Sequence, residues 1–182
     1  MPLSERTYTA VVLEDPEGRW ELHQGKLLEK PLMSSAHSDV IMDLGVQLAN
    51  QLDRSRFRVR VNSSRLRRLD VTYFIPDVMV VPADIPIRNR NDPSVLEVFD
   101  EPVPFLAEVW SPSTGQYDIE SKLPEYRSRG DLEIWRIHPF DRTVNAWRRQ
   151  IDGSYTELSF DSGLVQLAAL PEVWIDLDLL LA

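Results

Sequence analysis

The chain of 182 residues has no cysteine. That excludes disulfides, thiolate nucleophiles and cysteine-ligated zinc, and leaves oxygen donors or His23, His37 and His138 to hold any metal. Oxygen donors point to magnesium or manganese. Lysine is scarce as well, with only Lys26, Lys30 and Lys122 present, so a lysine inside a polar constellation carries extra weight. No apolar run approaches the roughly 20 residues a membrane helix needs, and the N-terminus lacks the basic-then-apolar pattern of a signal peptide. The expectation is a soluble cytoplasmic protein with no membrane partner. Positive charge is also short, for the formal net charge is -9, which argues against a general nucleic-acid coat protein. The charge is unevenly spread, however: Arg54, Arg56, Arg58, Arg60, Arg65, Arg67 and Arg68 crowd one stretch, and local field matters more than the total.

What is present suits one domain over residues 1–182, since 43% of residues are hydrophobic and 27% charged. Residues 1–19 show weak periodicity and read as an entry segment with one helical turn. Trp20 to Lys30 reads as a hairpin turning at Gln24-Gly25. A helix capped by Ser34 or Ser35 follows, with Val40, Ile41, Leu44, Leu48 and Leu52 at helical spacing. From Arg56 the period becomes two, because Phe57, Val59 and Val61 alternate with arginines. Val71 to Val81 is extended, broken at Pro76-Asp77. Residues 82–104 carry five prolines and read as a loop with at most a short helix. Phe105 to Trp110 is a buried strand, and Ser111 to Gly115 turns into a helix that ends before Gly130, with Pro124 placed in its first turn. Glu133 to His138, Val144 to Arg149 and Tyr155 to Phe160 read as strands, and Ile175 to Leu181 as a short helix or strand. This order is α+β around a mixed sheet.

Two carboxylates stand where the pattern calls for apolar residues: Asp77 in Phe74-Ile75-Pro76-Asp77-Val78-Met79, and Glu108 in Phe105-Leu106-Ala107-Glu108-Val109-Trp110. An ionised carboxylate there costs several kcal/mol unless it is paired or binds a metal. If the strands are neighbours, both side chains can converge on one divalent cation. The alternative is that Asp77 starts a turn after Pro76 and Glu108 pairs with a buried arginine. Lys122 reads equally as an ordinary helix-surface partner of Asp118, four residues away. His37, near a helix start, reads as a capping or surface residue or as an accessory base. The arginine stripe, Arg58 and Arg60 included, can track a phosphate backbone or simply offset the acid excess.

The ordered set Trp20-Glu21-Leu22 to Gly25-Lys26-Leu27, Ser34-Ser35-Ala36-His37, Ile75-Pro76-Asp77-Val78, Ala107-Glu108-Val109-Trp110-Ser111-Pro112-Ser113, Asp118 through Lys122 to Tyr126, Gly130 to Trp135, and Leu170-Pro171 resembles the Uma family of restriction endonucleases. That family lies within the PD-(D/E)xK nuclease superfamily. The resemblance covers roughly residues 20–180. It implies a restriction-endonuclease-like fold, with a mixed central β-sheet flanked by helices and an N-terminal β-hairpin. It implies Asp77 and Glu108 as ligands of Mg2+ or Mn2+, Glu21 as an additional acidic ligand, and Lys122 as the catalytic lysine. The superfamily lysine normally sits two residues after the glutamate, where this chain has Trp110, and the following helix supplies Lys122 instead. Gln24 and Lys26 stand where an aspartate and a glutamate are common. The implied activity is metal-dependent hydrolysis of nucleic-acid phosphodiesters, DNA foremost, by a homodimer. The contrasting expectation is a catalytically inactive oligomeric module that binds nucleic acid or protein.

Overall fold

The computed structural model describes residues 2–31, 34–69, 71–84, 92 and 94–182. The chain opens with a ten-residue helix, α1 (Glu5–Glu14), not a single turn. Ser4 caps it by accepting the Thr7 N–H, and Tyr8 and Val12, one turn apart, are its buried residues. So narrow an apolar stripe gives little periodic signal. The hairpin pairs β1 (Trp20–His23) with β2 (Lys26–Glu29). Gln24 at φ 50 and Gly25 at φ 78 put both central residues in the left-handed region, the turn whose twist matches its strands. Ser34 caps α2 (Ser35–Gln51).

The central sheet has six strands in the order β11-β10-β9-β8-β6-β3. These are β3 (Phe57–Val61), β6 (Val78–Pro82), β8 (Phe105–Val109), β9 (Glu133–His138), β10 (Thr143–Arg149) and β11 (Tyr155–Phe160). Only β8 and β9 run parallel, so the sheet is mixed. Val40, Ile41, Leu44 and Leu48 of α2 pack with Val78, Val80, Phe105, Ala107 and Val109 on one face. Burying apolar area of this kind at roughly 25 cal/mol per Å² is the main force that holds helix to sheet. Met79, Val81, Leu106 and Ile134 alternate to the other face, against Phe74, Phe99 and Tyr126.

The hairpin does not stand alone. It is the edge of a second sheet, β2-β1-β5-β4-β7, in which β4 is Arg65–Arg67, β5 is Tyr73–Phe74 and β7 is Val98–Phe99. The break at Pro76-Asp77 is therefore the crossing point where the chain leaves one sheet for the other. The expected loop over 82–104 lies partly outside the described residues, but Val98–Phe99 within it is a strand parallel to β4.

The helix after Gly115 also differs from expectation. It runs as α3 (Gly115–Tyr117), a π-helical turn (Asp118–Lys122) and α4 (Leu123–Arg129). Pro124 thus lies in the first turn of α4, directly after the π turn, and not in the first turn of one continuous helix from Gly115. Proline cannot donate to the preceding turn and clashes with it, and the wider turn, closed by Leu123 N–H to the Asp118 carbonyl, accommodates that. Gly130 at φ 84 ends α4 in the left-handed region. A third, two-stranded sheet joins β12 (Leu164–Gln166) and β13 (Trp174–Asp176) before α5 (Leu177–Leu180), so residues 175–181 are strand and then helix. Among the described residues no helix is long and apolar enough to cross a membrane.

Candidate active site

Register brings the two strand carboxylates together. Val78 pairs with Ala107 and Met79 with Leu106, so one step further Asp77 stands against Glu108 at the end of the ladder. The Val109 N–H donates to Asp77 Oδ2 at 2.7 Å, tying the aspartate to the neighbouring strand. From the second sheet comes Glu21, whose Oε1 accepts the Ile75 N–H at 2.8 Å. From the π turn come Asp118 and Lys122.

Lys122 is not a helix-surface partner. It is 1% exposed, and its Nζ lies 2.9 Å from Glu21 Oε1, 3.2 Å from Glu108 Oε1 and 3.6 Å from Asp118 Oδ1. The rings of Phe74 and Tyr117 flank the same ammonium at 5.9 and 5.7 Å. The position depends on Gly115, since a Cβ there would lie 2.0 Å from Trp110 Nε1 and push the helix start away. Tyr126, one turn beyond Lys122, donates its hydroxyl to Glu108 Oε1 at 2.6 Å.

Lys30, which sequence reasoning did not single out, is the second cation. Its Nζ lies 2.6 Å from Asp77 Oδ1, 2.8 Å from the Ile75 carbonyl and 3.0 Å from Asn62 Oδ1, with Glu108 Oε2 at 3.9 Å. The scarcity of lysine was the only sequence signal for it. His37, at the start of α2, brings Nε2 to 3.4 Å from Asp77 Oδ2. Glu21, Asp77, Glu108, Lys122 and His37 therefore form one buried cluster with Lys30, Asp118 and Tyr126.

Arg58 and Arg60 are not part of it. Arg60 makes a two-pronged pair with Glu97, at 2.8 Å for each contact, and Arg58 donates to the Phe57 carbonyl.

The electrostatics separate the two strand carboxylates. Burial alone would raise Asp77, yet Lys30 and His37 beside it hold its carboxyl well below the usual range. Burial raises Glu108 to about 8; Lys122 and Lys30 oppose the rise, while Asp77 and Asp118 add to it. Burial likewise raises Asp118 against the pull of Lys122. Burial would lower Lys122, but Glu108, Glu21 and Asp118 together push it well above the ordinary lysine value.

Four buried carboxyls thus face two lysines, an excess of two negative charges if all ionise. Hard oxygen donors with that charge deficit suit a divalent ion. Asp118 Oδ1 is moreover buried without a hydrogen-bond partner, and Glu108 Oε2 is the oxygen of that residue that Lys122 and Tyr126 leave free. As folded, the side chains pair with lysines, and among the described residues no three His, Asp or Glu side chains converge as a chelating group.

A family model named Uma2 and described as "Putative restriction endonuclease" matches residues 6–179. Among solved structures, a "putative nuclease" of the DUF820 group from Anabaena variabilis superposes with a TM-score of 0.78 at 20% identity, covering 99% of this chain and 98% of that one. At that identity the likeness establishes the fold. No curated protein sequence matches the chain.

Proposed function

Because this chain belongs to the Uma2 family, we propose that it is a metal-dependent endonuclease that hydrolyses phosphodiester bonds in nucleic acid, DNA foremost. The observation that carries this reading is the meeting of Asp77 and Glu108 at one end of two neighbouring strands, with Lys122 Nζ 3.2 Å from Glu108. Asp77 and Glu108 would hold magnesium or manganese, and Glu21 would complete the acidic shell directly or through water. Bound there, the ion supplies Lewis-acid polarisation of the phosphate and a more acidic attacking water.

The chain's own groups do the rest. Lys122, steadied by Glu21 and Asp118, orients the water or meets the charge developing on the phosphoryl oxygens. Tyr126 and Lys122 fix Glu108 Oε1, which leaves Oε2 to face the reacting group. His37 holds Asp77 in place as an accessory residue. Arg58, on the edge strand, supplies a phosphate contact outside the cluster, and Arg60 does so where Glu97 releases it. The working unit is a homodimer in the cytoplasm, and Met42 and Val46, exposed one turn apart on α2, offer it apolar surface.

One observation favours a second reading, an inactive oligomeric module. The cluster is closed to solvent and both lysines are committed to carboxylates. Incubation with DNA, RNA and small phosphodiesters, with and without millimolar manganese, separates the two. Manganese-dependent cleavage of DNA supports the nuclease. Cleavage of the small diesters alone would reassign the substrate, and no cleavage of any would leave the binding module.

A further inference from the structure

We infer that Lys30 is a tethered cation seated where the divalent ion would bind between Asp77 and Glu108, so that the metal enters only when Lys30 withdraws. Four oxygens surround its Nζ: a carboxylate at 2.6 Å, a peptide carbonyl at 2.8 Å, a carboxamide at 3.0 Å and the second carboxylate at 3.9 Å. That is the donor set a hard divalent cation takes. An ammonium has three protons, and here three short contacts use them, so Glu108 Oε2 is left without one. The surroundings of Lys122 differ, being carboxylates and two aromatic rings with no carbonyl or carboxamide oxygen among its ion-pair partners. The two lysines therefore do different work.

Asp77 sets Lys30 and an ion in competition. Its Oδ2 is taken by the Val109 N–H and faces His37, so Oδ1, the oxygen bound to Lys30, is the one left for a metal. A magnesium–oxygen bond of roughly 2.1 Å cannot share that oxygen with an ammonium at the same spot. The ion must break a buried, well-formed pair before it binds, which weakens its affinity.

The identity of the ion rests on the nuclease reading, but the displacement does not need cleavage to be observed. Calorimetric titration and thermal melting with MnCl2 would compare the wild type, Lys30→Gln and Lys30→Ala, with Lys30→Gln/Asp77→Asn as the control that removes the ligand. Both single variants should bind manganese at least about tenfold more tightly than the wild type, and the control should not bind. A single variant that is unfolded without metal and refolds when manganese is added shows the same gain. If neither variant binds more tightly or refolds, Lys30 does not occupy the cation's position. Wild-type cleavage of DNA in the same buffer would then leave the nuclease reading standing, and its absence would remove that reading separately.

Discussion

Glu108→Gln removes the carboxyl that the cluster raises to about 8 from an ordinary 4.5. The unfolded chain releases this proton near 4.5 and the folded chain near 8, so between those values the folded state holds the extra proton. Stability contributed by Glu108 is therefore full below about pH 4.5, declines as pH rises, and is lost above about 8. At 1.36 kcal/mol per unit, the wild type should lose at most about 4 kcal/mol through this group between pH 5 and 9. Glutamine stays neutral throughout and can still accept the Tyr126 hydroxyl, while Lys122 keeps Glu21 at 2.9 Å. Urea unfolding in metal-free buffer should thus show Glu108→Gln gaining on the wild type as pH rises from 5 to 8. Titrating groups remote from the cluster cancel in the difference, whereas Asp77, Asp118 and Lys122, which feel the Glu108 charge, shift with it. A stability difference that stays flat from pH 5 to 9, or that runs the other way, would refute the placement of Glu108 in an over-anionic buried cluster.

Asp77→Ala should behave in the opposite sense, because it strands Lys30 in the interior. A loss of about 3–5 kcal/mol is expected at neutral pH in the same urea assay, and an unchanged midpoint would mean that the Lys30 pair does not form in solution. Lys122→Met should leave manganese affinity, read by calorimetry, little changed while cleavage falls by roughly two to three orders of magnitude; full cleavage would remove Lys122 from the chemistry. Arg58→Ala should flatten the salt dependence of nucleic-acid binding by about one unit of slope, with a smaller change for Arg60→Ala because Glu97 already engages that side chain. An unaltered slope in Arg58→Ala would return the stripe to a solvated face.

The candidate site was legible where it conflicted with local pattern. Asp77 and Glu108 stand out because each interrupts an apolar strand, but the strand pairing that joins them is a long-range register that neither strand's own pattern carries. Lys122 was ambiguous, since four-residue spacing from Asp118 describes a solvated helix pair as well as a buried one. What decides it is the π turn ahead of Pro124 and the close passage of Gly115 under Trp110, and neither leaves a periodic signature. Lys30 and Asn62 lie at or beyond strand ends, where no alternation marks a side chain as inward. The second sheet was hidden for a related reason. Its strands β4, β5 and β7 have three, two and two residues, too short to display a period, and β4 finds β7 only across the intervening residues 68–97. Arg60 reads as a free cation in the sequence because its partner, Glu97, lies 37 positions away. The hairpin and the capped α2, by contrast, rest on local chemistry at Gln24-Gly25 and Ser34, and their ends fall where that chemistry puts them.

The most direct test of the central claim is nicking of supercoiled plasmid DNA in millimolar manganese, comparing the wild type with Asp77→Asn and Glu108→Gln, each first shown to be folded by thermal melting. The account predicts nicking by the wild type that stops when the metal is chelated, and its loss in both variants. Equal nicking by the wild type and a folded Glu108→Gln protein would contradict it, because the carboxylate pair would then have no part in the reaction.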